Sequence, residues 1–461
     1  MSDPTQEYEA LLALWQQLPT EAGPTVEWAS ALERLVMASQ FATQVLLARS
    51  SELPSLITAL QDDHYDPAST LAAALAECDD DASFMTAVRR WRNWEQVRLI
   101  WQEILTEPSL PQRLDQITQV ADAALLAATE FATQQLVTRF GAPEPCPHSG
   151  APQRLVILGM GKLGARELNL SSDIDLIFAY PEEGETQGER SLSHSEFFTR
   201  VGRKVIQLLD QRTADGFVYR VDMRLRPNGQ SGPLALNFNA TTTYYQEQGR
   251  DWERYALIKA RAITNTEVAQ SALMPELQRF VFRRYVDYQV LAALREMKQM
   301  IASENRRLQR DYNIKLGAGG IREVEFIVQA LQLIQGGQSH ALTDPNIYQA
   351  LAAIEAEGML PQAVCHGLRH SYDDLRRLEH LLQAQQDKQT QTLPSDPAWQ
   401  TRLVATLGFA DWPALLRWVD AVRAVVSEHF DAFIAPSEID DGPEHSWEPY
   451  WQTPAQADWQ L

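Results

Sequence analysis

The stretch that most limits the possible folds of this chain runs from Leu155 to Tyr180, LVILGMGKLGARELNLSSDIDLIFAY. It joins an apolar strand pattern, a glycine-rich turn and a second apolar strand that carries Asp173 and Asp175. Because side chains alternate along a strand, the two carboxylates project from one face. Carboxylates placed in this way repel each other unless cations lie between them, so the pattern predicts a site for divalent metal ions.

The same turn fits the dinucleotide-binding pattern GxGxxG through Gly159, Gly161 and Gly164. A dinucleotide fold needs a long helix after this turn and then further alternating strands and helices. Here Asn169 and two serines interrupt the helix, and mainly helical sequence follows the strand region. An acid near the distance expected for ribose binding, Glu182 or Glu183, keeps the dinucleotide fold as an alternative.

A second charged strand pattern, VYRVDMRLRP, places Asp222 among arginines. Alternation puts Arg220, Asp222, Arg224 and Arg226 on one face and apolar residues on the other. An aspartate in a row of arginines predicts a third metal ligand beside side chains that bind phosphate oxygens. Three acids suffice for a two-metal site. The alternative is an exposed, salt-bridged strand.

A basic cluster follows in QGRDWERYALIKAR, where helical spacing places Arg250, Arg254 and Arg261 on one face, with Lys259 nearby. In an acidic chain this cluster indicates an anion site, with a solvated helix face as the alternative. Further on, the glycine-rich KLGAGG precedes a helix that carries Glu323 and Glu325. That turn is suited either to phosphate or to capping the helix.

The periodicities predict an α+β, predominantly helical fold, with a small sheet between helical regions. A helix is expected from Ser193, a capping residue, to Asp210, and only helices after Leu236. The predicted domains are an N-terminal helical domain (1–145), a catalytic domain (146–265), a C-terminal helical bundle (266–436) and a tail or linker (437–461).

Composition narrows the class of protein. The formal net charge of -21 argues against non-specific binding to nucleic acid or anionic membranes. The three cysteines suit neither a disulfide framework nor a zinc site. The sequence has neither a signal-peptide pattern nor a long uncharged apolar stretch. We therefore expect a cytoplasmic protein.

Four segments carry a family resemblance: GMGKLGARELNLSSDIDLIF, DGFVYRVDMRLRPNGQSGPL, YYQEQGRDWERYALIKAR and IKLGAGGIREVEFIVQ. In this order they closely resemble the bifunctional glutamine synthetase adenylyltransferase/adenylyl-removing enzymes of bacteria, which belong to the polymerase beta-like nucleotidyltransferase superfamily. Those enzymes have two homologous halves, and GMGKLG is similar to the N-terminal half, whereas the other half has a GYGKLG version. The resemblance implies fusion to a C-terminal adenylyltransferase half.

The resemblance implies site residues. Asp173, Asp175 and Asp222 correspond to the metal ligands and catalytic acids, for two Mg²⁺ ions with Mn²⁺ as an alternative, and the glycine turn lies over the nucleotide. The superfamily's usual Gly-Ser turn is replaced here by Gly161-Lys162. We assign nucleotide or phosphate binding to Gly159, Gly161, Lys162, Gly164, Ser172, Arg224, Arg226, Arg250, Arg254 and Lys259.

The resemblance also implies an activity: phosphorolysis of adenylyl-tyrosine on glutamine synthetase, which consumes phosphate and releases ADP, under control of the PII signal protein. Phosphorolysis brings two anions together, and the predicted metals and arginines would screen their repulsion. Three alternatives stay open: ATP-dependent adenylyl transfer at the same site, a catalytically silent PII-responsive module, and a dinucleotide-dependent oxidoreductase.

Overall fold

The computed structural model describes residues 4–17, 26–62, 64–105, 109–147, 150–283 and 312–434. These residues form two compact units, one within Met1–Gln278 and Gln383–Gln389 and the other within Arg279–Leu382 and Thr390–Leu461. The predicted tail and the helical sequence expected over 290–310 lie outside the described residues. The boundaries of the four domains drawn from the sequence stay predictions.

The first unit opens with helices rich in alanine and leucine, as the sequence periodicity predicts. They are α1 (Pro4–Gln16), α2 (Val26–Ala38), α3 (Gln40–Ala48), α4 (Leu53–Gln61), α5 (Pro67–Leu75), α6 (Asp81–Leu105) and α7 (Leu110–Phe140), with a 3₁₀ turn at Ser50–Glu52. Helix α7 ends at Gly141, whose φ of +80° favours glycine. Helix α7 packs against α5 and α6.

A small mixed sheet follows. Its strands are β1 (Val156–Gly159), β2 (Ile174–Tyr180), β3 (Val221–Asp222), β4 (Ala235–Asn237) and β5 (Arg261–Ala262). Strand β1 pairs antiparallel with both β2 and β5, whereas β3 and β4 pair parallel with the start and the end of β2. Only the short helix α8 (Gly161–Gly164) lies in the connection between β1 and β2. The antiparallel pair excludes the dinucleotide fold, whose equivalent strands are parallel.

Helix α9 (His194–Asp210) confirms the helix predicted from Ser193. The Ser193 side chain accepts a hydrogen bond of 3.2 Å from the Glu196 backbone N–H, which caps the first turn. The apolar side of α9 contacts β3, β4 and α7. Ile177 and Ala179, on the carboxylate side of β2, are buried together with the opposite face of that strand. Only the start of β2 thus remains accessible.

Two sequence predictions about this region are wrong. The strand expected over 219–226 is limited to β3, because the Asp222 side chain accepts the backbone N–H of Arg224 and turns the chain. The long helix expected beyond Leu236 divides into α10 (Phe238–Gln248) and α11 (Asp251–Leu257), and Arg261 lies in β5. Arg261 therefore does not share a helical face with Arg250 and Arg254.

Further helices complete the two units. They are α12 (Thr266–Val268), which continues through a π turn at Ala269–Leu273 into α13 (Met274–Val281), then α14 (Ile321–Gln335), α15 (Ile347–Ala356), α16 (Gln362–Ala384), α17 (Pro397–Leu407) and α18 (Trp412–Ile434). The ring centroids of Phe326 and Phe430 lie 5.5 Å apart where α14 packs on α18. The predominantly helical α+β class is confirmed.

The glycine-rich turn before α14 closes on its own helix. The Gly319 backbone N–H donates to Glu323 Oε2 at 2.9 Å. Asn313 Oδ1 accepts from the backbone N–H groups of Lys315 and Leu316. Gly319 has φ +69°, and a Cβ there would overlap the Arg423 backbone. These contacts favour capping over phosphate binding. None of the described helices has the length and hydropathy of a membrane span.

Candidate active site

The three predicted metal-binding carboxylates lie on one face at the start of the sheet. Strand β2 begins at Ile174, so Asp173 immediately precedes it and Asp175 is its second residue. Strand β3 pairs in parallel with this end of β2, and Asp222 is the register partner of Asp175. Register partners on neighbouring strands lie about 4.8 Å apart and project to the same face. The fold therefore brings Asp222 beside the Asp173–Asp175 pair.

Two arginines offset the charge of the outer carboxylates. Arg220 makes an ion pair with Asp173. Asp222 accepts from the backbone N–H of Arg224 at 2.8 Å and from its Nε at 2.7 Å. Burial alone would raise the pKa of Asp222, but the hydrogen bonds and charge of Arg224 hold it below its ordinary value. Asp222 therefore stays ionised at neutral pH.

The backbone geometry of the turn beside Asp175 explains why each of its three pattern positions is a glycine. Gly161 adopts φ +54°, and a Cβ added there would lie 3.5 Å from Asp175 Oδ2. A Cβ at Gly159 would press on Ile263, and one at Gly164 would overlap the Lys259 carbonyl oxygen. The GxGxxG pattern thus reflects one left-handed residue, one close contact with side chains at Gly159 and one with backbone at Gly164. It leaves the space next to Asp175 free of side chain.

Three of the residues assigned to nucleotide or phosphate binding lie close in sequence to the carboxylates. Ser172 is half-buried and directly precedes Asp173. Lys162 Nζ donates to Asn169 Oδ1 at 3.3 Å. The Arg226 guanidinium donates to the backbone carbonyls of Met223, Gln230 and Gly232. Arg226 therefore braces the loop between β3 and β4, and its role in phosphate binding stays a prediction.

The other assigned cations contact partners of their own. Arg250 is exposed at the start of α11. Arg254 is buried and its Nη1 lies 3.4 Å from Asp251 Oδ1. Lys259 Nζ lies 2.8 Å from Glu167 Oε2 in a buried ion pair. Both buried cations stabilise the packing around the glycine turn and α11, and their assignment to phosphate stays a prediction.

Family models match the chain over two ranges. The model described as glutamate-ammonia ligase adenylyltransferase matches residues 29–275, more than half of the chain. The chain belongs to this family. A second model, described as GlnD PII-uridylyltransferase, matches residues 295–434.

Two bacterial proteins resemble this adenylyltransferase-family chain over most of its length. A bifunctional glutamine synthetase adenylyltransferase/adenylyl-removing enzyme of Pseudomonas aeruginosa is 46% identical over 431 residues, which are 91% of this chain and 44% of the relative. The protein of the same name from Pseudomonas putida is 44% identical over 425 residues, which are 89% and 43% of the two chains. The chain spans less than half the length of these relatives. The resemblance seen in its four sequence segments is confirmed.

Within this adenylyltransferase-family site, Asp173 has three neighbours, of which the sequence predicted only Arg220, as one of a row of arginines. Arg220, its ion-pair partner, also lies over the Phe217 ring at 5.1 Å. One terminal atom of the Gln389 carboxamide lies 3.3 Å from Asp173 Oδ1 and 3.2 Å from Oδ2, and we assign it as the nitrogen because both of its neighbours are acceptors. The pKa of Asp210 is raised by burial and by the nearby Asp173 charge. Alternation along the strand predicted from VYRVDMRLRP pointed to Arg220, but no local pattern marks Gln389.

The chemistry of the donor set fits a hard divalent cation, because three carboxylates share one face and oxygen donors suit Mg²⁺. In the arrangement described, no three His, Cys, Asp or Glu side chains of the described ranges converge on one point. Asp173 and Asp222 instead face Arg220 and Arg224. A cation bound here would take the place of a guanidinium group and leave that arginine available to an anion.

Proposed function

We propose that this chain removes adenylyl groups from a tyrosine of glutamine synthetase by phosphorolysis. The single observation that carries the proposal is the register pairing of Asp175 with Asp222, which brings these two carboxylates together near Asp173. Arg220 pairs with Asp173, and Arg224 pairs with Asp222. The names of the two Pseudomonas relatives supply the substrate and the adenylyl-removing activity. Together they support an adenylyl-transfer site on a protein substrate.

The proposed reaction balances without a redox partner. A phosphate oxygen attacks the adenylyl phosphorus in line with the bond to the tyrosine oxygen, and that bond breaks. The products are ADP and a tyrosine whose oxygen then takes up a proton. A phenolic oxygen with a pKa of about 10 is a moderate leaving group, so electrostatic stabilisation and in-line positioning carry most of the catalysis.

The residues of the site have different roles in the proposed reaction. Asp173, Asp175 and Asp222 would hold two Mg²⁺ ions, with Mn²⁺ as an alternative, and these supply positive charge to the phosphate oxygens when bound. Arg220 and Arg224 screen the repulsion between phosphate and the phosphodiester. Gly161 has no side chain next to Asp175, and we assign this position to the approach of a phosphate group.

The same side chains could also catalyse the opposite reaction, ATP-dependent adenylyl transfer to the tyrosine. The test therefore compares phosphate with pyrophosphate as the co-substrate. The chain is incubated with adenylylated glutamine synthetase and Mg²⁺, with either phosphate or pyrophosphate. We expect ADP with phosphate and no ATP with pyrophosphate. ATP formation with pyrophosphate alone would assign the chain to the transferase direction.

Regulation by the PII signal protein is part of the proposal, supported by the match of residues 295–434 to a PII-uridylyltransferase model. We expect PII to change the rate of ADP release. A catalytically silent PII-responsive module would instead bind PII and release no nucleotide with either co-substrate.

A further inference from the structure

The segment Gln383–Gln389, which we call the 383–389 loop, belongs to the first unit although the neighbouring sequence on both sides belongs to the second. It is held by a buried ion pair in which Arg92 Nη2 lies 2.9 Å from Asp387 Oδ1 and a second contact joins the same groups. The two side chains are 3% and 9% exposed. Asp387 adopts φ +51°, in the left-handed region that few residues other than glycine occupy.

Backbone contacts fix the rest of the 383–389 loop. Ser39 Oγ donates to the Ala384 carbonyl oxygen at 2.6 Å, and the Phe41 N–H donates to the Gln385 carbonyl oxygen at 3.1 Å. The Ser171 N–H donates to Gln383 Oε1 at 2.9 Å, two residues before Asp173. These contacts hold residues 383–387 next to the segment that carries Asp173, and Gln389 follows them as an exposed residue.

Gln389, the last residue of the 383–389 loop, faces the carboxylate of Asp173. Gln389 approaches both oxygens of Asp173, while Arg220 contacts Oδ1. A carboxamide that donates to a metal-binding carboxylate sets the orientation of that carboxylate without carrying charge.

One face of α6 contacts three segments near the carboxylates: the one that leads to β3, the one before Asp173 and the 383–389 loop. Arg89, Arg92 and Gln96 follow each other at helical spacing and are buried. Arg89 donates to the carbonyl oxygens of Leu208 and Gly216, in the segment that leads to β3. Gln96 Nε2 donates to the Leu170 carbonyl oxygen at 2.6 Å, just before Asp173. Arg92 completes the set by holding the 383–389 loop.

We propose that Gln389 is a positioning residue of the adenylyl-transfer site. It orients Asp173 for the divalent cation and is itself placed by the Arg92–Asp387 pair. The inference rests on the proposed function only in taking Asp173 as a metal ligand. Loss of such an orienting partner typically weakens metal binding about 10- to 100-fold.

The test measures binding of Mn²⁺ by electron paramagnetic resonance, using the full chain and no protein substrate. Gln389→Ala and Gln389→Met, which keeps the length but loses the donor, are expected to weaken Mn²⁺ binding by about tenfold or more. The matched control is Gln386→Ala, because Gln386 is exposed in the same loop and contacts Gln40 and Lys388. We expect this control to bind Mn²⁺ like the wild type, and the melting temperatures of all three variants to stay close to that of the wild type.

Two results would overturn the inference in different ways. If both Gln389 variants bind Mn²⁺ within about twofold of the wild type while Asp175→Asn does not, Gln389 has no orienting role and the metal assignment stands. If Asp175→Asn also leaves Mn²⁺ binding unchanged, the metal assignment fails and the role of Gln389 fails with it. In active variants, a rise in the Mn²⁺ concentration needed for half-maximal rate, with the maximal rate retained, separates orientation from a general structural effect.

Discussion

Asp175 and Asp222 are register partners in the parallel pairing of β2 and β3, although 221–222 is all that remains of the longer strand expected there. The pairing places two carboxylates side by side, and like charges directly opposite each other on a sheet destabilise it. Arg224 offsets part of that cost by its ion pair with Asp222. Such a costly arrangement of charges is typical of a functional site.

The first prediction concerns this pair. Asp175→Asn and Asp222→Asn should each reduce phosphate-dependent ADP release by about 100-fold or more, equivalent to about 3 kcal/mol of transition-state stabilisation. Asp175→Asn should keep or slightly raise the melting temperature, because it removes like-charge repulsion. Asp215→Asn, which removes a carboxylate that contacts Arg90, serves as the control and should leave the rate unchanged. Equal rates in all three variants would refute the site assignment.

A second prediction distinguishes Arg220 from a neighbouring arginine. Arg220 and Arg212 both lie over the Phe217 ring, at 5.1 and 5.7 Å, but only Arg220 pairs with Asp173. Arg220→Met should raise the KM for phosphate about tenfold or more, because a charge-assisted hydrogen bond to an anion is lost. Arg212→Met should leave that KM unchanged. Initial rates over a range of phosphate concentrations decide, and an equal rise in both variants would point to the ring stack instead.

A third prediction concerns stability. Arg92→Met leaves the buried Asp387 carboxylate without its guanidinium partner, so it should lower the free energy of unfolding by about 3–5 kcal/mol. Arg90→Met, two residues away on α6, removes a pair of 3.5 Å in which Arg90 is 63% exposed, and should cost at most about 1 kcal/mol. Urea unfolding of both variants provides the comparison. The double variant Arg92→Met/Asp387→Met should recover part of the loss, and a similar loss in Arg90→Met would contradict the buried-pair account.

The fourth prediction uses a thiol in the second unit. Burial raises the pKa of Cys365 to about 11. Cys365 is a buried residue of α16, whereas Cys78 and Cys146 are partly accessible. At pH 8 a disulfide reagent should therefore label Cys78 and Cys146 in the folded chain, and Cys365 only after denaturation. Since the folded state binds the Cys365 proton more tightly, the free energy of unfolding should fall as pH rises from 9.0 towards 11. Rapid labelling of all three thiols in the folded chain would contradict this burial.

Much of the candidate site could be predicted from short segments of the sequence. The spacing of Asp173 and Asp175 follows from strand alternation, and the Ser193 cap follows from a side chain suited to that position, so both were predictable from a few neighbouring residues. The length of the strand at Asp222 was not, because the same carboxylate that binds Arg224 also ends the strand by accepting its backbone N–H. An alternating pattern of polar and apolar residues carries no sign of that turn.

The sequence by itself determined which side chains are the candidates for the chemistry: three aspartates, their arginines and a glycine turn, each set within a short segment with its own periodicity. Only the tertiary structure decided which of them meet. Strand pairing joined Asp222 to Asp175, and buried pairs such as Lys259–Glu167 gave some predicted phosphate ligands other partners. Gln389 reaches Asp173 through long-range contacts of the 383–389 loop. Local propensity reports on neighbours along the chain, whereas strand register and buried ion pairs depend on residues far apart in the sequence.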